Sequence, residues 1–159
     1  MTSEHDSAAV RAELIDRVKR SWDELRAMVD GLDDRQLAAS GPDGGWSVKD
    51  HLVHLERWEA YLLAELSGRD GRPELGLAEG AESPGTDAIN DGLQRQHAAT
   101  PPAEVRRKLA DTHARAIEVL RTLDAGELEQ RLAWIAGNTH EHFDEHSSLI
   151  RSMEASPTS

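Results

Sequence analysis

A chain of 159 residues with 38% hydrophobic content has material for one hydrophobic core and not for two. Its 18 Lys and Arg against 30 Asp and Glu leave a net charge of −12, which disfavours nucleic acid, whose phosphates need clustered cations, and anionic membrane. Without cysteine there is no disulfide or protein thiolate, and without a bilayer-length apolar run or a basic leader the pattern predicts a soluble, cytoplasmic protein.

Residues 1–6 are polar and predicted to be frayed, with one domain over 7–154 and a disordered tail at 155–159. From Ser7, the apolar positions Val10, Leu14, Ile15, Val18, Trp22, Leu25 and Val29 step at three and four, the signature of a long amphipathic helix ending near Gly31. A short helical turn over Arg35 to Ala39 follows, and Ser40 to Gly45 (S-G-P-D-G-G) breaks the chain. Ser47 with Asp50 three residues on reads as a capping box opening a helix that runs to Leu66. Its inward stripe is Val48, His51, Leu55, Trp58 and Leu62, with His54 and Tyr61 along one edge.

Ser67 to Thr86 holds five Gly and two Pro, so it reads as a long mobile connection or a lid. A short helix over Asp87 to His97 is expected next. Thr100 as N-cap and Pro101 at the first position then open a helix whose inward face is Val105, Leu109, Thr112, Ala116, Val119 and Leu123. After a connection at Asp124 to Gln130, the last long helix is expected from Leu132 to Met153. Four long helices, no convincing strand and one long connection predict an all-α antiparallel four-helix bundle with a short inserted helix.

The last helix carries the chemistry. At about 100° per residue, His142 and His146 lie roughly 40° apart, one turn from each other, on the face that also carries Ile135, Thr139, Leu149 and Met153. Two core-directed histidines at this spacing are half of a metal site, although a buried imidazole can equally be satisfied by a main-chain carbonyl. His54 and His51 compete for the third ligand position, and the one that does not ligate can act as a proton shuttle. Three imidazoles would suit Zn, Ni or Fe and leave positions open for water or substrate.

Around them, Glu141 and Glu145 can orient a ligand histidine or serve as general base. Asn138 and Thr139 can bind substrate or a nearby water, and Trp58, Tyr61 and Trp134 can line a pocket. His97 and His113 read as surface or packing residues.

G-W-S-V-K-D-H-L-V-H-L (Gly45 to Leu55), together with N-T-H-E-H-F-D-E-H (Asn138 to His146), resembles the DinB-like (YfiT-like) four-helix-bundle superfamily. The asparagine–threonine lead into the second block looks nearest to its ClbS/DfsB branch, associated with self-resistance to a reactive natural product. The resemblance implies metal ligation by His54, His142 and His146, and metal-dependent hydrolase or thiol-dependent transferase activity. The pattern differs at Ser147 and Ser148, where many metal-binding members carry a second adjacent His and a Gly-Gln.

Three functional expectations follow. The first is an enzyme attacking an electrophilic small molecule in the bundle cavity with a metal-activated water or a low-molecular-weight thiol. The second is a metal-free binding or resistance protein. The third is a structural bundle that pairs as a homodimer through one flank.

Overall fold

The computed structural model describes residues 3–155, so the frayed positions expected at 1, 2 and 156–159 lie outside the described residues. Its elements are helices α1 (Glu4–Val29), α2 (Asp34–Ala38), α3 (Val48–Leu66), α4 (Thr86–Gln96), α5 (Pro102–Thr122), α6 (Ala125–Gly137) and α7 (His140–Ala155), with short 3-10 turns at Pro42–Gly44 and Arg72–Leu75. No strand occurs among the described residues, and no helix is long and apolar enough to cross a membrane.

Helix directions follow from side chains that bridge neighbours. Arg11 donates to the carbonyls of Leu120 and Leu123, and Arg106 to those of Val29 and Leu32, so α1 and α5 run antiparallel. Each arginine also supplies donors to the orphan carbonyls at a helix end. Glu56 accepts from Thr112, and Glu59 meets His113, so α3 and α5 run parallel. The long connection between them, which includes α4, makes that possible. The α3/α7 pair is antiparallel, His51 facing His146 and His54 facing His142.

The apolar core is divided at the waist of the bundle. One cluster gathers Leu25, Leu52, Leu55, Leu109, Phe143 and Ile150, and another gathers Leu14, Val18, Leu62, Ile117, Leu120 and Ile135. Between them lie Glu59, 0% exposed, and His113, 4% exposed. Burial raises the Glu59 pKa, and the His113 imidazole opposes that rise. His113 is thus a packing residue rather than a surface one.

Several boundaries differ from the sequence reading for identifiable reasons. α1 starts at Glu4 because Ser3 and Asp6 form a reciprocal capping box. α5 is capped by Pro101 and begins at Pro102, not at Thr100 and Pro101. A residue preceding proline is confined to extended backbone, which keeps Pro101 out of the helix. Asp124 to Gln130 is helical rather than a connection, because the Asp124 carboxylate caps the main-chain N–H groups of Gly126 and Glu127.

The single late helix expected from Leu132 is two helices, broken at Asn138 and Thr139. Asn138 Nδ2 donates to the carbonyl of Trp134 at 2.9 Å and Thr139 Oγ1 to that of Ile135 at 2.7 Å. These side chains take up carbonyls at the end of α6 beside Gly137, a poor helix former.

The connection after α3 is held against the scaffold. Asp70 accepts from the main-chain N–H of Arg72 at 3.0 Å and of Gly80 at 2.7 Å, and Arg57 pairs with Glu74 at 2.9 Å. Leu75 packs with Ile89 and Leu93 against Trp58 and Tyr61. Asp70 and Glu74 serve as anchors, which composition alone cannot distinguish from solvated charge.

Lys49 fixes the inserted helix to the bundle. It is 6% exposed, and its ammonium donates to the carbonyls of His97 at 3.3 Å, Ala98 at 2.8 Å and Thr100 at 3.0 Å. Hydrogen bonds to a buried charge contribute more than neutral ones, so Lys49→Met is expected to lower the unfolding free energy by about 2–3 kcal/mol. Equilibrium urea unfolding followed by tryptophan fluorescence measures this. Arg17→Ala, which removes an exposed ion pair with Glu13, should change it by less than about 0.5 kcal/mol.

Candidate metal centre

Ser47 and Asp50 cap α3 reciprocally at 3.0 Å each, which sets the rotation of the helix and points His51 and His54 at α7. On α7, His142 and His146 project from successive turns. The Nε2 atoms of His54 and His142 are 2.8 Å apart, and Nδ1 of His51 lies 2.8 Å from Nδ1 of His146. His54, His142 and His146 each offer one nitrogen, all within 4.8 Å of one another. The structure therefore brings together the three histidines read from the sequence as ligands, with His51 behind them.

The electrostatics suit a cation. Burial lowers the pKa of His54 to about 3, with His142 and His51 adding to the effect. Burial alone takes His142 to about 4, and His146 falls to about 2 through burial and the neighbouring imidazoles. His51 is also lowered by burial, against a small opposing pull from Asp50. Neutral imidazoles carry the free lone pairs that metal ligation requires. Nδ1 of His54 is buried with no hydrogen-bond partner; Asn90 stands close enough to offset a little of the depression without making that bond. Engagement of His146 Nδ1 by His51 leaves Nε2 of His146 for the common centre. The donor set thus fits a metal ion.

The rings form one wall of an open cleft of about 620 Å³. Trp46 lies across them, with ring centroids 5.2 Å from His51, 5.2 Å from His54 and 6.3 Å from His146, stacked on the last at 16°. Trp58 borders the cleft and donates from Nε1 to Asn90 Oδ1 at 3.0 Å. Asn138 and the exposed Glu145 stand at the mouth with Leu149, 45% exposed.

The remaining candidates lie elsewhere. Glu141 is exposed and borders a separate depression formed with α1 and α6. Thr139 is 0% exposed and serves the helix break. Tyr61 packs edge-on to Trp58 at 5.6 Å and to Trp134 at 6.3 Å, behind the cleft wall. The Ser67–Thr86 segment reaches the cleft only at Thr86, so it does not cover the histidines as a lid.

Sequence reasoning passed over Trp46 and Asn90. Trp46 occupies the position before the N-cap and contacts His51 one turn into α3, the geometry of a hydrophobic staple. The capping box was therefore the signal for it. Asn90 had none beyond its helical spacing.

A sequence model of the DinB superfamily matches residues 17–147. That is more than half of the chain, and the protein belongs to this superfamily, whose members often bind metals. No curated protein and no solved structure matches the chain.

The depressed histidine pKa values set a sign for pH dependence. Below the ordinary value of 6.5 the unfolded chain binds protons that folded His54, His142 and His146 refuse. Stability is therefore complete above that pH and falls as the pH drops toward the folded values. Urea unfolding at a series of pH values should show this decline, and His146→Leu should flatten it relative to wild type.

Proposed function

We propose that the protein is a metal-dependent enzyme acting on a neutral or cationic electrophilic small molecule in the histidine cleft. The convergence of one nitrogen each from His54, His142 and His146 within 4.8 Å carries this reading. A bound divalent ion supplies a Lewis acid able to make water or a thiol nucleophilic at neutral pH. With no cysteine in the chain, a thiol must arrive as a low-molecular-weight cosubstrate. Transfer to such a thiol and hydrolysis are the two reaction types the site accommodates.

In this reading, His54, His142 and His146 hold the ion, and His51 fixes the ring of His146 through the Nδ1 contact. Glu145 stands at the cleft mouth as the general base for an incoming water or thiol proton. Trp46 and Trp58 supply aromatic walls for an apolar substrate, and Asn138 and Asn90 supply polar contacts at the rim. Among the described residues, Glu145 is the sole acidic or basic residue other than histidine that borders the cleft, and no Lys or Arg lines it. That composition supports a neutral or cationic substrate over an anionic one.

A second reading rests on a different observation. The four imidazoles pair off, His54 with His142 and His51 with His146, both at 2.8 Å. Such pairs give one nitrogen of each ring a partner without an ion, as suits a metal-free binding or self-resistance protein of the ClbS/DfsB type.

Metal analysis of protein purified without a histidine tag decides between them. The enzyme reading expects one Zn, Ni or Fe per chain, lost in His142→Ala and weakened only as the pH falls toward the depressed histidine values of about 4 and below. Metal-free protein of full stability that is stabilised saturably by electrophiles would favour the second. If the ion is present, His51→Phe should weaken its affinity by roughly 10–100-fold. Glu145→Gln should lower turnover by about 100-fold or more while leaving metal content unchanged.

A further inference from the structure

A wider concavity lies away from the histidine cleft, between α1 and α5, with a volume of about 780 Å³. Its apolar surface includes Trp22, Leu25, Leu109 and Ile117, and it reaches Leu52 of α3, which is 1% exposed. The rim is cationic on a chain that is strongly acidic overall. Lys19, Arg26, Arg106, Arg107 and Arg121 border it, against only Asp30 and Glu118.

Both of those carboxylates are already engaged. Asp30 lies 3.1 Å from Arg26 and 3.8 Å from Arg106, and Glu118 lies 3.2 Å from Arg121. Lys19 and Arg107 have no ion-pair partner among the described residues. The groove therefore presents uncompensated positive charge beside apolar surface, the complement of an amphipathic anion.

His113 adds a second recognition point. It is 4% exposed, borders the groove, and stacks on Trp22 at 4.2 Å and 14°. Its Nδ1 is held by Glu59 Oε2 at 3.2 Å, whereas its Nε2 is buried without a hydrogen-bond partner. A buried polar atom left unpaired is costly, and the cost is relieved by a partner of matching chemistry. A hydroxyl both donates and accepts, so it satisfies Nε2 in either tautomer. Six residues separate His113 from Arg107 on α5, roughly 9 Å along the helix axis.

We propose that the α1/α5 groove is a second small-molecule site, which takes an amphipathic organic carboxylate bearing a hydroxyl group. Its carboxylate meets the cations around Arg107, its apolar chain lies along Trp22 and Leu109, and its hydroxyl reaches His113 Nε2. This site shares no lining residue with the histidine cleft, so it stands or falls independently of the metal.

The test uses the full chain and four probes titrated by calorimetry: octanoate, ω-hydroxyoctanoate, octanol and octyltrimethylammonium. The expected result is one saturable site for the acids, with the hydroxy acid bound roughly 3- to 10-fold tighter than octanoate and octanol and the ammonium far weaker. Arg107→Glu should weaken both acids about 10-fold or more, and His113→Phe should erase the preference for the hydroxyl. Because that variant leaves Glu59 without its partner, Ala110→Trp, at an exposed position bordering the groove, provides a check that spares the buried pair and should abolish binding. His142→Ala should change none of these affinities.

Equal binding of octanol or the ammonium, no gain from the hydroxyl, or loss of binding in His142→Ala would overturn the proposal. So would sedimentation showing a dimer that Arg107→Glu dissociates, since a second chain would then occupy the groove.

Discussion

Four imidazoles from α3 and α7 are largely withdrawn from water, and among the described residues no carboxylate hydrogen-bonds to any of them. An ordinary buried histidine escapes the cost of charge by meeting an acid or by staying neutral. Here the acid is missing and neutrality is enforced, most strongly on His146, which has the other three rings as neighbours. The same desolvation that weakens the fold in acid keeps the nitrogen lone pairs free at neutral pH. Stability in acid and ligand capacity thus both depend on the partial burial of the four rings.

That space exists because of how the helices are directed. Antiparallel packing of α3 on α7 puts residues that ascend one helix opposite residues that descend the other, so a pair spaced by three meets a pair spaced by four. The parallel packing of α3 on α5 produces two further buried polar pairs, Glu59 with His113 and Glu56 with Thr112, on another flank of α3. α3 is consequently polar on two flanks, and the two apolar clusters of the core lie to either side of its middle. The helix that supplies half the imidazoles also carries two buried acids, Glu56 and Glu59, yet one meets Thr112 and Arg57 and the other a different histidine.

Much of this was legible in the residues and some was not. The apolar steps of α1, α3 and α5 are strong, and the Ser47–Asp50 capping box located the start of α3 to the residue. The spacing of His142 and His146 put both rings on one face. The break at Asn138 and Thr139 was hidden because Ile135 and Thr139 continue that same apolar period, and nothing local reveals that the two side chains bond back to carbonyls of the preceding turn. Glu141 and Glu145 differ by one turn and look equivalent in sequence, but one borders the cleft and the other a depression against α1. The roles of Lys49, Arg11 and Arg106 depend on helix ends far away in the chain, and no window of sequence contains both partners.

Lys49 also bears on the border of the histidine cleft. Thr86 and Asn90 of α4 form part of its border, and α4 is restrained unevenly along its length. Beyond its C-terminal end three carbonyls are gripped by the ammonium, and Gln94 adds a bond to Asp50. At Asn90 a single neutral bond to Trp58 remains, and the N-terminus at Gly85 has no side-chain cap. The inserted helix is therefore held by a buried charge past its C-terminal end and, beside the cleft, by one indole N–H together with the packing of Ile89 and Leu93 against Trp58 and Tyr61.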